Sequence, residues 1–374
     1  MGERVQRLFE GASEGVGNDM DIGIFQLLPQ PDGLSDRDVI AQAQWEVDLA
    51  EAGGYSSVWV TEHHLSPFGL VGAPSVYAAA IAGRTERISI GYGVAVVPLH
   101  HPLRLAEEIA WIDYLSRGRV VVGVGPGFSP YEFAAFGVPL GERHRRLEEG
   151  LAILRGALGQ SSFAHSGEHW TFPHIALRPR PYHGAAPPFL RACSSLESVR
   201  QAAHEGTPLM IGLKSHLEIA ERITTYRAVR SELGLSEAEV DREVAAFRVL
   251  RRVSVADTDE EAVAAMKQAL IWEGETARRV HGPASPGAGA TTADGGAVRE
   301  EGDIPGACAG TPATVAAELL ALRTLGVQHV IAWLNFGDMP YAKVRQSMEL
   351  MAQEVIPLIA EYEPEGSGAA KAAL

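Results

Sequence analysis

Two cysteines in 374 residues, Cys193 and Cys308, exclude a disulfide framework and a cysteine-based zinc motif. A reducing compartment, the cytoplasm, is the expectation that follows. Basic residues are also scarce: 32 Lys and Arg face 47 Asp and Glu, for a net charge of −15. Nucleic acid and anionic membrane surfaces are both recognised through Lys and Arg clusters, so neither suits this chain. No run reaches the ~20 apolar residues of a membrane span. Residues 1–20 hold no continuous apolar stretch of the kind a secretory signal needs. They read as a disordered extension with a short helix around 5–9, or else as a tethered arm. No period of 20–50 residues recurs beyond an alternation of strand and helix.

What is present is a 46% hydrophobic content, ample for a large core. Short apolar runs bounded by turn residues predict eight strands, at 21–28, 56–62, 88–98, 119–125, 187–193, 208–212, 244–256 and 327–335. Each is followed by a segment of helical periodicity. "HSGEHWTFPHIALRPRPY" interrupts the rhythm as a hairpin excursion before the fifth strand. Strands that read as near-continuous apolar runs are buried on both faces. Eight such strands, each with its helix, predict a (β/α)8 barrel over 21–362, with 363–374 as a flexible tail. Between the seventh and eighth strands lies a Gly-, Ala-, Pro- and Thr-rich stretch, about 274–308. A long structureless loop inside a compact domain is a functional lid or a disordered insertion.

In such a barrel the active site lies at the C-terminal ends of the strands. "TEHH", "GYGV", "GVGPGF", "ACSS" and "WLNFGD" all fall at that rim. Neighbouring residues of a strand face opposite ways, so His63 and His64 do not read as two ligands of one metal, and no metal is expected. One of them, beside Glu62, is a candidate proton-transfer group near neutral pH. Gly123, Gly125 and Gly127 fall at every second position, which is not the dinucleotide fingerprint; they clear room for a flat ligand. "SSLESV" offers hydroxyls at a helix start, which either cap the helix or bind an anion such as phosphate.

The blocks "TEHHLSPFGLVGAP", "HHPLRLAEEIAWIDYLSRGR" and "VVVGVGPGF" resemble the bacterial luciferase-like flavin monooxygenases, especially the luciferase alpha subunit. The likeness continues through "HWTFPHIALRPRPY", "SSLESVRQAAHEGTPLMI" and "GTPATVAAEL", and covers the chain after residue 20. The resemblance implies a TIM barrel, a dimer, and FMN bound at the barrel mouth. It further implies that reduced FMN (FMNH2), supplied by a separate flavin reductase, reacts with O2 to a C4a-hydroperoxide that oxygenates a small apolar organic substrate. A role in secondary metabolism is the accompanying expectation.

By the same resemblance His63 is the catalytic acid–base, with Glu62 and His64 beside it. Gly93 and Val94 match a non-prolyl cis peptide beneath the flavin ring. Gly125 and Glu132 border the flavin. Ser195 and Ser198 match phosphate-binding hydroxyls, and Ser194 replaces an acid there. Leu27, Phe128, Trp333 and Phe336 are the candidate substrate-pocket residues, though Trp333 and Phe336 equally suit the core. Two positions depart from the luciferase alpha subunit: Gly125 stands for a reactive Cys, and Pro126 for an Arg on the phosphate side. Arg191 is expected to face the helices and not to replace that Arg. Two other readings follow from the family, a deazaflavin-dependent hydride transfer and a non-catalytic partner subunit.

Overall fold

Eight parallel strands close into a barrel in the computed structural model, which describes residues 20–282, 304 and 306–362. The strands are β1 (Asp21–Gln26), β2 (Ser57–Val60), β3 (Ser89–Val96), β4 (Val120–Gly125), β7 (Phe189–Ala192), β8 (Leu209–Ile211), β9 (Arg248–Val255) and β11 (His329–Trp333). β1 pairs with β2 and β11, and the β8–β9 pairing closes the ring. β5 (Phe163–Ser166) and β6 (Thr171–Ile175) form the antiparallel hairpin before the fifth barrel strand. The expected N-terminal extension and C-terminal tail lie outside the described residues, as does most of the expected lid.

The barrel's helices are α1 (Asp36–Ala52), α2 (Pro74–Ala82), α3 (Pro102–Ser116), α5 (Arg143–Gly159), α6 (Leu196–His204), α7 (His216–Glu232), α10 (Pro312–Arg323) and α11 (Tyr341–Leu350). Local sequence sets several of their starts. Ser35, Ser195 and Ser215 each close a capping box with the residue three positions on. Pro74, Pro102 and Pro312 stand in the first helical turn, where the missing N–H costs nothing. No helix among the described residues is long and apolar enough to cross a membrane.

Four features differ from the sequence expectation. α4 (Pro130–Ala135) opens five residues after β4, where the sequence reading placed no helix, because Ser129 caps it by accepting from the Glu132 amide. α8 (Glu237–Ala245) takes the residues just before β9, so the seventh strand begins at Arg248 and not at 244. β10 (Ala307–Gly310) adds a short parallel strand beside the upper half of β9, above the three-residue β8. The expected lid is shorter at both ends: 307–308 belong to β10, and 274–281 are the last turns of α9 (Asp259–His281). Gly274, a helix breaker in isolation, is buried within α9 between Glu273 and Thr276, which are buried too. Burial overrides local propensity there.

Glu273 anchors α9 to the barrel. It forms a buried ion pair with Arg252 of β9. The Arg252 guanidinium in turn lies 4.8 Å from the Trp333 ring centroid. α9 thus ends over the strand termini, with His281 among the residues of the mouth.

Candidate active site

Glu62 follows β2 and is buried at the rim. His64 Nε2 donates to its Oε1 at 2.9 Å, and His100 Nε2 to the same oxygen at 2.8 Å. The Val96 amide donates to Oε2 at 2.7 Å. Burial alone would raise this carboxyl, but the bonds from His100 and His64, the His100 charge and the amide together lower it to about 2. Burial would lower His100, yet the bond and charge of Glu62 raise it. Glu62 therefore stands as a fixed anion that ties the β2 and β3 ends together.

Glu132 stands on α4 and is also buried. Its Oε1 lies 2.9 Å from His63 Nδ1 and accepts from the His64 amide at 2.9 Å. Burial pushes the carboxyl up, but the bond and charge of His63, then the amide and His281, bring it below the ordinary value. A carboxylate can only accept, so His63 Nδ1 carries the proton in this bond. That leaves Nε2 as the nitrogen not engaged by Glu132. The His63 ring is bordered by Phe68, Phe128 and His281, with centroids 5.0, 5.7 and 5.4 Å away. The two adjacent histidines diverge, His63 toward this aromatic group and His64 toward Glu62 and Phe136.

The candidate flavin-side residues adjoin one another. The Gly93–Val94 peptide is cis, at the point where β3 shifts register against β4. A Cβ on Gly93 would lie 3.2 Å from Phe25, and one on Gly125 would lie 2.8 Å from Val94. Ala192, at the end of β7, borders the same Gly125 position at 3.6 Å. Two residues further, Ser194 begins the turn into α6. Ser195 Oγ accepts the Ser198 amide at 3.2 Å, and Ser198 Oγ donates to the Ser195 carbonyl at 2.7 Å. Both serines are thus engaged in capping.

Arg191 is turned outward and pairs with Glu148 of α5 and with Glu205 after α6. Arg222 of α7 reaches the serine turn and donates to the Ser194 carbonyl at 3.1 Å. It is 5% exposed, and its Nε has no partner among the described residues.

Leu27, Trp333 and Phe336 are all buried. Trp333 packs edge-on against Phe25 at 5.3 Å and Phe336 at 6.0 Å, forming a group under β1 and β11. Leu27 packs against Gly69. Of the four candidate pocket residues, Phe128 is the one in ring contact with His63. Sequence reasoning missed His100, Arg222, Ser129 and His281. His100 had a signal, standing in the "LHHP" run at the third strand's rim. Arg222 had none, because α7 read only as a barrel helix, and His281 fell in the stretch read as a lid.

A family model described as Luciferase-like monooxygenase matches residues 20–329, and the chain belongs to that family. The alkanal monooxygenase alpha chain of the Kryptophanaron alfredi symbiont is 26% identical over 223 residues, 59% of this chain and 62% of that one. The matches to the first curated relatives span only 50–62% of their length. The oxygenase component of a flavin-dependent trigonelline monooxygenase from Acinetobacter baylyi is 25% identical over 355 residues, 90% of this chain and 96% of that one. Among solved structures, monooxygenase RslO1 from Streptomyces bottropensis superposes with a TM-score of 0.79 at 25% identity, covering 91% of this chain and all of that one. At lower identity the fold alone is shared. Examples are an FMN complex of the oxygenating constituent of 3,6-diketocamphane monooxygenase from Pseudomonas putida and an F420-dependent secondary alcohol dehydrogenase.

Proposed function

We propose that the barrel mouth binds FMN in its reduced form, delivered by a separate flavin reductase, and uses it with O2 to oxygenate a small apolar organic substrate. The observation that carries this reading is the bond between Glu132 and His63, with Glu132 also holding the His64 backbone. It leaves His63 Nε2 as a proton acceptor in a partly buried surrounding of aromatic rings.

The residues present fit a flavin phosphate and ring. Gly93 and Gly125 put bare backbone on either side of Val94, where a flat ring can approach the main chain closely. The α6 N-terminus, with Ser194, Ser195 and Ser198, presents backbone N–H groups suited to an anion. Arg222 takes the place of the phosphate-side cation that Pro126 lacks. Bound reduced flavin supplies the electrons for oxygen chemistry. His63 moves a proton at Nε2, Glu132 keeps its ring oriented, and Glu62 fixes His64 and His100 behind it. Phe68 and Phe128 keep water away, which strengthens every charge interaction inside.

A homodimer belongs to the same reading. Val76 of α2 and Trp111 and Leu115 of α3 are 71%, 59% and 50% exposed. Neighbouring helices that bare such side chains suit a second copy of the chain.

The test is titration of the purified protein with reduced FMN and with reduced deazaflavin under nitrogen, followed by O2. Preferential binding of FMN and a changed course of its reoxidation support the proposal. Preferential binding of the deazaflavin, with no O2 effect, favours hydride transfer.

A further inference from the structure

Three donor groups meet at the rim from three separate segments: His63 after β2, Glu132 on α4, and His281 at the end of α9. One ring nitrogen from each histidine and one oxygen of Glu132 lie within 4.8 Å of one another. Two imidazoles and a carboxylate form a set that borderline divalent cations accept, zinc foremost, with a fourth position left to water. His281 adds an independent observation. It is 4% exposed, and its Nε2 has no hydrogen-bond partner among the described residues. Buried polar atoms are nearly always paired, so an unpaired one calls for an explanation. The other ring nitrogen, Nδ1, lies 2.7 Å from Ser129 Oγ. Metal-bound imidazoles are oriented from behind in the same way. Glu132 is braced too, through the His64 amide at 2.9 Å.

We propose that His63, Glu132 and His281 form a binding site for a zinc-class divalent cation, and that occupying it silences the site. Ligands about 2.1 Å from a tetrahedral ion stand about 3.4 Å apart. The His63–Glu132 pair, at 2.9 Å, is already within reach of that spacing. The closing movement falls to His281. The cation takes the place of the proton on His63 Nδ1. The ring's one proton then sits on Nε2, so the atom assigned above to proton transfer can no longer accept one. It is therefore an inhibitor and not a cofactor. Binding stands without the flavin reading; inhibition rests on it.

The test uses the full chain, stripped of metal with EDTA and titrated with Co2+, whose visible bands report four-coordinate binding; Zn2+ is then added in competition. The wild type should bind one Co2+ per chain saturably and release it to Zn2+. Loss of a ligand in His281→Ala and His281→Gln should weaken binding by about 100-fold, and loss of its brace in Ser129→Ala by about tenfold. His329→Ala, on a histidine that pairs with Asp21, should change nothing. Circular dichroism identifies the folded variants, and Ser129→Ala decides the matter if both His281 variants unfold. No saturable band in the wild type, or wild-type affinity in the folded variants, overturns the site. If Zn2+ binds but leaves the O2 reaction of bound reduced FMN unchanged, the silencing is overturned, and with it the proton role of His63, while the cation site stands.

Discussion

Glu132 and His63, 69 positions apart in the chain, meet at 2.9 Å where α4 crosses the end of β2. The carboxylate decides which nitrogen of the imidazole carries the proton, so in the proposed reaction Glu132 is a positioning residue. Glu132→Gln can present an amide N–H to Nδ1 and favour the other tautomer. The expected result is a fall of about 10²-fold in turnover, within the range spanned by acid–base groups. FMN affinity should change only a few-fold. Equal loss in binding and turnover would point to a collapsed site instead.

Glu62 sets an acid limit. Its folded carboxyl sits at about 2, below the ordinary 4.5. A depressed group contributes stability above its unfolded value and loses it as pH falls toward the folded value. The contribution at neutral pH is on the order of 3 kcal/mol. Glu62→Gln should lower Tm at pH 7 and leave a shallower decline between pH 5 and 2. Thermal melts across that window check it; parallel curves for the two proteins would count against the assignment.

Much of this was legible in the primary structure, and the gaps have physical causes. The eight apolar runs and their order gave the barrel, because strands buried on both faces carry a strong signal. "ACAG" carried none: four small residues become β10 only because β8 is too short to cover the upper half of β9. Ser236 and Glu239 formed a legible capping box for α8, but the adjoining apolar run drew the strand start backward. Gly274 read as a helix stop, yet tertiary burial carries α9 on to Gly282, at φ 88°. That error hid His281. The histidine pair was visible as residue types at a strand end, whereas the choice of Glu132 as partner to His63 depends on a helix that the sequence reading did not place.

Glu46 carries the opposite pH dependence. It is fully buried and held by Gln26 Nε2 at 3.0 Å and Asn335 Nδ2 at 2.7 Å. Burial raises its carboxyl to about 7, against the lowering effect of those two bonds. A raised group contributes stability that is complete below about 4.5 and is lost as pH climbs through about 7. Glu46→Gln removes that loss. The variant should gain on the order of 3 kcal/mol relative to wild type between pH 4.5 and pH 8. Urea unfolding at the two pH values measures the difference, and a constant offset would refute the assignment.

Arg222 is assigned to the flavin phosphate, and riboflavin separates that role from ring binding. Arg222→Met should weaken FMN by about tenfold, the loss of one charge-assisted contact of roughly 1.5 kcal/mol. Riboflavin, which lacks the phosphate, should bind both proteins equally. A similar loss for both ligands would assign Arg222 to packing of the Ser194 turn.

The most direct measurement mixes the protein, loaded anaerobically with reduced FMN, with O2-containing buffer in a stopped-flow spectrophotometer. The account predicts that the oxidised flavin spectrum returns later than with free reduced FMN, and that His63→Ala changes this time course by 10-fold or more while still binding FMN. A wild-type trace that overlays free flavin, or a His63→Ala trace that overlays wild type, would contradict it.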